Sequence, residues 1–543
     1  MRERFSKESA RLYAIATKER AKQTLQKGKQ GIFSRVAKLI FHRAGLVSLF
    51  ILLQLFVLAV PIIWFARYSA WFYAIYLVIA VVAVLKIIGS RYQSAYKIAW
   101  AVLVLMVPVF GGLMYLLYGG NKMGRRAKRK MALQEEIVRT YMGHADDETK
   151  RTLEAMGGQT VTQSRYLEDA SFSPPHIHTE ATYFPLGDDM FLKMKEELEK
   201  AEKFVFMEYF IIHPGQMWNE ILDILRRKAA QGVDVRVMYD DVGCLYTLPT
   251  GYDRQLREMG IQCEVFNRYK PVVTLRLNNR DHRKILVVDG NVAFTGGINL
   301  ADEYINAIER FGHWKDTGVM IRGDAVWNFT VMFLSAWDFL REEIEDFDPF
   351  RPSLQPWQVQ NDGVVQPYDD SPLDDKPVGA NVYHNLISKA TEYVYLTTPY
   401  LVIDDDMTSA LCVAAQSGVD VRIITPHIPD KKIVFQLTRA HYQILLESGV
   451  RIFEYTPGFI HAKNFAVDDL YATVGTVNMD YRSLYLHFEC GVWMAGSSAI
   501  RGVKEDFLAT LEKCQEINLE DAKQFSRHKR LTQALLRAFA PLF

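Results

Sequence analysis

Two short runs carry residues that could do chemistry on a phosphate. Asp281-His282-Arg283-Lys284, continuing to Asp289-Gly290, and Ile460-His461-Ala462-Lys463, continuing to Asp468-Asp469, both fit H-x-K-x-x-x-x-D. Side chains two residues apart on a β-strand share a face, so each run is expected to project His and Lys side by side. An imidazole can attack phosphorus or protonate a departing alkoxide, and an ammonium beside it neutralises the non-bridging oxygens. Ten residues past each aspartate stands an asparagine, Asn299 in Gly296-Gly297-Ile298-Asn299 and Asn478 in Gly475-Thr476-Val477-Asn478. Its amide can donate to a phosphate oxygen, and the small residues before it permit close backbone approach. Further on, Asp316-Thr317-Gly318-Val319 aligns with Glu489-Cys490-Gly491-Val492, so each half adds an acid able to orient a histidine. Asp289 and Asp468 complete the catalytic pattern. Asp289-Gly290 is also an ordinary turn signal, and a turn-forming or orienting role suits both aspartates better than a chemical one.

One such pattern is weak, because His and Lys on an exposed strand before an Asp turn is common surface chemistry. Here the whole set recurs at matching points of an internal repeat, which chance does not easily produce. Residues 201–207 (AEKFVFM) match 390–396 (ATEYVYL), 229–237 match 414–423, and 258–262 match 447–451. Both halves read as strand, amphipathic helix ending at a glycine, strand, helix, glycine, strand, which predicts an α/β fold with a central sheet in each half. Between them, residues 345–380 carry Pro349, Pro352, Pro356, Pro367, Pro372 and Pro377 among many aspartates and read as a linker. The remaining histidines lack duplication and read as surface or core residues, with His213, His427 and His487 near the cleft. No metal motif, Asp-rich loop or Walker glycine loop is present, so metal catalysis is not expected and the lysines supply the charge.

The elements that must hold this chemistry follow a strongly divided chain. Its 543 residues carry a formal net charge of only +1. Through Lys130, however, 22 basic residues face three acidic ones, a net +19 that leaves −18 for the rest. Such asymmetry points to a basic arm meeting an anionic membrane or nucleic acid. Three apolar runs, 46–65, 70–88 and 98–118, are each long enough to span a hydrocarbon core of roughly 30 Å, and they favour lipid. A nucleic-acid partner is disfavoured, because the part bearing the motifs is acidic. Three crossings would put Lys122–Lys130 opposite the basic arm, against the positive-inside rule. The third run, interrupted by Pro108, Gly111 and Gly112, is therefore expected to be re-entrant or broken. The five scattered cysteines form no CxxC pair and fit a reducing, cytoplasm-facing enzyme. The expected organisation is a basic arm (1–45), a membrane segment (46–120), a basic helical linker (121–175), a first half (176–345), a Pro/Asp-rich linker (346–380) and a second half (381–543).

With two H-x-K-x-x-x-x-D motifs, the chain resembles the phospholipase D superfamily, and more closely its membrane-anchored bacterial cardiolipin synthases. The similar strings are residues 94–100 (SAYKIAW), 108–112 (PVFGG), 295–302 (TGGINLAD), 396–400 (LTTPY), 475–483 (GTVNMDYRS) and 538–543 (AFAPLF). The long basic arm and the run 46–65 depart from the pattern of many relatives. The resemblance implies two α/β sandwich halves packed as a pseudo-dimer behind N-terminal transmembrane helices, in a bacterial inner membrane with the catalytic part in the cytoplasm. It also implies transfer between two phosphatidylglycerol molecules to give cardiolipin and glycerol, without cofactor or metal, through a phosphatidyl-histidine. In that scheme His282 is the nucleophile and His461 the acid/base. Lys284, Lys463, Asn299 and Asn478 bind the phosphoryl oxygens, and Asp316 and Glu489 orient His282 and His461 respectively. The alternative is a phospholipase D-type hydrolase that uses the same residues with water as acceptor.

Overall fold

A computed structural model describes residues 70–90, 93–106, 111–112, 115, 125–268, 279–374 and 376–523, with isolated positions at 52, 56, 60, 536 and 537. The expected basic arm and the first apolar run lie outside the described residues, apart from those isolated positions.

The first half contributes strands β1 (Thr179–Phe184), β2 (Phe204–Tyr209), β3 (Asp234–Asp240), β4 (Gln262–Phe266), β5 (Lys284–Val288), β6 (Val292–Gly296), β7 (His313–Lys315) and β8 (Gly318–Gly323). The second contributes β9 (Val364–Asp370), β10 (Tyr393–Thr397), β11 (Leu401–Val402), β12 (Asp420–Pro426), β13 (Arg451–Tyr455), β14 (Gly458–Ile460), β15 (Asn464–Val467), β16 (Tyr471–Gly475), β17 (Met479–Asp480), β18 (Glu489–Ala495) and β19 (Cys514–Ile517). The two large sheets run β1-β8-β6-β5-β2-β3-β4 and β9-β18-β16-β15-β10-β12-β13-β19. Strand for strand the order is the same, with β19 added at one edge. The repeat seen in sequence is thus a repeat of topology. In each sheet the β2/β10 strand pairs parallel with its helix-connected neighbour and antiparallel with the strand that follows the histidine.

Local chemistry explains why the halves fold alike. Helices Gln216–Ala230 and Asp405–Gln416 both end in glycines at positive φ, Gly232 (+92°) and Gly418 (+96°), as do Tyr252–Glu258 and Lys432–Glu447 at Gly260 (+84°) and Gly449 (+95°). In all four the next amide reaches back five residues, for example Val233 N–H to Lys228 O at 3.1 Å and Val419 N–H to Ala414 O at 3.1 Å. Only glycine adopts that left-handed turn without strain, and it launches the buried strand behind it. Helices Val326–Arg341 and Ala499–Leu511 lie in one core shared by both sheets, where Phe206, Phe333 and Trp337 of the first half meet Ile424, Val474 and Phe507 of the second.

The Pro/Asp-rich stretch is more than a linker. Its residues 364–370 form β9, an edge strand paired antiparallel with β18. An edge position tolerates Pro367, which has no N–H for a second neighbour. The second half therefore takes in β9, ahead of the boundary at residue 381 that the prolines suggest.

Near the N-terminus, the apolar helices Ala70–Ile88 and Ser94–Met106 pack through Ala80, Ala83, Ile87, Trp100 and Val104. Ile75, Leu77, Val78, Val81, Val82, Leu85 and Ile88 remain exposed along the first of them. The third apolar run doubles back: a Cβ on Gly111 would lie 2.5 Å from Leu103 O, and the Trp100 and Tyr115 rings are 5.5 Å apart. In a straight helix those pairs would be separated by about 12 and 22 Å. Judged on the described residues alone, no helix is long and apolar enough to cross a membrane.

The aspartates that close the two motifs act on the fold. Asp289 (φ +52°) accepts from the amides of Glu202, Lys203 and Phe204 at 2.8 Å each, and Asp468 (φ +53°) from those of Thr391, Glu392 and Tyr393 at 2.7–2.9 Å. Each pins the start of β2 or β10 from the far end of the next strand, and Asp289 lies about 16 Å along β5 from Lys284. Counting them as catalytic is corrected to a turn role. Asp289→Ala and Asp468→Ala should each cost about 2–3 kcal/mol of stability, through the lost hydrogen bonds to a charged carboxylate and the strain of alanine at positive φ. Thermal melts should fall while kcat per folded molecule holds; a large loss of kcat with an unchanged melt would contradict this.

Candidate active site

His282 stands two residues before β5, which Lys284 opens, and His461 directly follows β14, three residues before β15. His282 is fixed by its own backbone across the junction of the halves: its N–H donates to Phe488 O at 2.9 Å, and residue 281 bridges residue 488. His461 mirrors it, donating to Lys315 O at 2.7 Å beside the parallel pairing of β14 with β7. Phe488 and Lys315 are the residues just before Glu489 and Asp316. The backbone clasp therefore delivers each carboxylate to the histidine of the opposite half. His282 Nδ1 lies 2.9 Å from Glu489 Oε2, and His461 Nδ1 lies 2.6 Å from Asp316 Oδ2. The expected pairing within halves is corrected: Glu489 orients His282 and Asp316 orients His461. Sequence alignment matches the acids correctly but cannot see that the junction crosses them.

The two carboxylates are held by different means. A Cβ on Gly297 would lie 2.0 Å from Asp316 Oδ1, so only glycine leaves room there, and Thr317 N–H donates to the same oxygen at 2.8 Å. At the matching place in the second half, the Thr476 hydroxyl donates to Glu489 Oε2. Lys284 Nζ donates to His282 O at 2.6 Å, whereas Lys463 Nζ contacts His461 Nδ1 at 2.8 Å as well as His461 O. Nδ1 of His461 cannot accept from Lys463 while it donates to Asp316. When the ring serves as a base, Lys463 must turn elsewhere, and a phosphate oxygen is a suitable acceptor.

The asparagines differ too. Asn299 is engaged at both ends, accepting from Ile211 N–H at 3.0 Å and donating to Tyr304 OH at 2.8 Å, which leaves one amide hydrogen for a ligand. Asn478 is buried with Oδ1 unpartnered. Tyr304 and Trp314 close over His461, each with its ring centre 5.7 Å away, and Phe210 covers His282 at 5.0 Å. Behind the histidine, Arg283 points the other way and meets Glu208 (2.7 Å), Asp281 (3.1 Å) and Asp369 of β9 (3.2 Å). Burial, with Asp281 and Asp369 nearby, drives the Glu208 carboxyl well above its usual range against the opposing charge of Arg283.

Burial dominates the electrostatics. It pulls His282 down to about 3 and His461 to about 4, with Lys284 and Lys463 adding to the respective effect and the paired acids opposing it. Both rings are therefore neutral at physiological pH, with Nδ1 engaged and Nε2 left for chemistry. Burial likewise lowers Lys284 to about 8 and Lys463 to about 7, while Glu489 stays below its usual range because His282 and His487 outweigh burial. Of the histidines expected near the cleft, His487 lies beside Glu489, with Nδ1 3.6 Å from Oε1. His427 instead pairs with Glu454 at 2.9 Å, and His213 is exposed. Tyr304, Thr476 and Phe210 carry no duplicated signal; His487 stands two residues before Glu489, in the bend that leads into β18. Among the described residues, His282, His487 and Glu489 are the group whose donor atoms are close enough to hold a metal ion.

A family model described as "Cardiolipin synthase, PLD-like domain" matches residues 194–315 and 383–511, and one described as "Phospholipase_D-nuclease N-terminal" matches 78–120. A cardiolipin synthase of Alkalihalophilus pseudofirmus is 34% identical over 449 residues, covering 82% of this chain and 88% of the relative. The chain belongs to the bacterial cardiolipin synthases of the phospholipase D superfamily. An uncharacterized protein of Streptococcus mutans is 43% identical over 463 residues, 85% of this chain and 99% of that protein. The fold is that of a phosphatidylserine synthase of Haemophilus influenzae, with a TM-score of 0.50 and 14% identity, covering 71% of this chain and 98% of the other.

An anionic substrate needs charged lysines, and these are lost as pH rises past about 7 and 8. In this cardiolipin synthase family member, kcat/KM should fall on the alkaline side of neutrality. The kcat limb should lie at higher pH, because bound phosphodiester stabilises the ammoniums. Neutral detergent micelles remove the surface potential of anionic vesicles from the measurement; a profile flat to pH 9.5 would exclude this role for the lysines.

Proposed function

We propose that this chain makes cardiolipin from two phosphatidylglycerol molecules at a membrane surface, through a phosphatidyl group carried on His282. The observation that carries the reading is the crossed pair of histidine–carboxylate dyads with one lysine at each, converging in a buried site. His282 Nε2 attacks phosphorus while Nδ1–H is held by Glu489. The P–O bond to the glycerol headgroup breaks, and the departing glycerol oxygen takes a proton from His461. The hydroxyl of a second phosphatidylglycerol then gives its proton to His461 and attacks phosphorus, releasing His282. One phosphodiester replaces another, so no energy source is required. His461 is neutral in the empty site, but an anionic phosphodiester beside it and Asp316 behind it both favour the imidazolium that the first step needs. Lys284, Lys463 and the amides of Asn299 and Asn478 take the phosphoryl oxygens. The assignment of His282 over His461 as nucleophile is supported by the cleaner state of its Nδ1, which contacts only Glu489, whereas that of His461 is shared with Lys463.

Lipid access is supported by the exposed apolar side chains of helix Ala70–Ile88, and by Ala95 and Leu536 packing on Val402, Leu437 and Tyr481. That contact sets the apolar N-terminal helices against the segment that follows Asn478. We read the chain as an integral protein of the bacterial inner membrane with its catalytic part in the cytoplasm. The run 98–118 folds back within the bilayer and does not cross it, so both basic clusters lie on the anionic cytoplasmic face.

Purified full-length chain in phosphatidylglycerol vesicles should yield cardiolipin and one glycerol per cardiolipin. His282→Ala and His461→Ala should each abolish transfer, as members of one unit do. Phosphatidic acid as the main product would favour the hydrolase reading instead. Glu489→Gln and Asp316→Asn should each lower kcat by about 10²–10⁴-fold, the range seen when a histidine loses its orienting acid. Phosphatidyl-enzyme trapped in the wild type by rapid denaturation in detergent at alkaline pH, where a phosphorus–nitrogen bond survives, should be absent from His282→Ala; its persistence there would reverse the roles.

A further inference from the structure

Beside the nucleophile stands an imidazole that the transfer chemistry leaves unused. His487 is buried, neither of its ring nitrogens has a hydrogen-bond partner, and its ring centre lies 5.4 Å from that of His282. Its Nδ1 is 3.6 Å from Glu489 Oε1, an oxygen that is also buried and lacks a hydrogen bond. Buried polar atoms are seldom left so, and two of them facing one another across a short gap suggest something between them. The donor atoms of His282, His487 and Glu489 all lie within 4.8 Å of one another. Two imidazoles and a carboxylate are a donor set that zinc takes readily. Bonds of about 2.1 Å in a tetrahedron need edges of about 3.4 Å, close to the gap already present.

We propose that His282, His487 and Glu489 form an inhibitory site for a transition-metal ion of the zinc type, which stops phosphatidyl transfer by withdrawing His282. If the ion takes Nε2 of His282, the attacking lone pair is gone. If it takes Nδ1, the hydrogen bond that orients the ring on Glu489 is broken and Glu489 itself is engaged. Either mode disables the nucleophile without touching His461. Lys284 and Lys463 oppose a cation here, so nitrogen-seeking ions are required. Zn²⁺ and Cu²⁺ bind imidazole strongly, whereas Mg²⁺ and Ca²⁺ prefer oxygen ligands.

The test uses chelator-stripped, full-length chain in neutral detergent. Bound Zn²⁺ is counted by equilibrium dialysis, and Co²⁺ is used as a coloured reporter of a tetrahedral site. Wild type should hold one ion more than His487→Asn and one more than His282→Ala, and both variants should lose the tetrahedral Co²⁺ absorption. In the transfer assay, Zn²⁺ should inhibit wild type reversibly on chelation, Mg²⁺ and Ca²⁺ at equal concentration should not, and His487→Asn should need at least tenfold more Zn²⁺ for the same inhibition. Equal stoichiometry in wild type and His487→Asn, or equal Zn²⁺ sensitivity, would overturn the proposal. The inhibition arm rests on the transfer reading, but the binding arm does not, and it decides the matter even if His487→Asn proves inactive.

Discussion

Everything in this molecule depends on a reciprocal clasp, in which the backbone before each carboxylate holds the backbone of the opposite histidine. His282 N–H on Phe488 O and His461 N–H on Lys315 O set the register, and the hydrogen bonds to Glu489 and Asp316 follow from it. Main-chain hydrogen bonds are more rigid anchors than side-chain contacts alone, and the imidazoles inherit that rigidity. The shared core between the sheets, the room left by Gly297 for Asp316 and the edge strand β9 that ties Asp369 to Arg283 all serve to keep the clasp in place.

The same arrangement sets the electrostatics. A site formed between two sheets is dry, and dryness costs every charged group in it. Neutral imidazoles, two lysines that give up protons near neutrality and an acid kept ionised by its histidines are the outcome. Positive charge is thereby held in reserve until an anion arrives, inside a part of the chain whose net charge is negative. The halves are related in topology but not in detail: Thr476 donates to one acid where Gly297 only makes room for the other, and Lys463 competes for a nitrogen that Lys284 leaves alone. Those differences suit two histidines to two jobs.

Much of this was legible in the sequence because it is local. The glycines that end helices, the alternation of helix and strand, the doubled His and Lys, and the acids Asp316 and Glu489 are all properties of short segments. What was not legible is relational. Which acid serves which histidine depends on how the sheets meet, and no spacing within either half encodes it. Asp289 and Asp468 can be read two ways, because a turn residue at a fixed offset from a catalytic pair looks the same as a third member of it, and only the turn signal of Asp289-Gly290 tips the balance toward the fold. Pro367 misled because proline marks a break in most strands yet is harmless at an edge. His487 is invisible to any argument from duplication, since the first half has Trp314 at the matching place before its acid.

Identical strand order in the two sheets, together with donors and acceptors exchanged between them, has a consequence for ancestry. A chain of half this length, with one sheet, one histidine, one lysine and one acid, would lack a complete dyad and would leave the core shared between the sheets uncovered. Two copies facing each other about a twofold axis would supply both, each lending its acid to the other. Fusion of such a pair into one polypeptide would then release the copies from symmetry, leaving Thr476 free to diverge from Gly297.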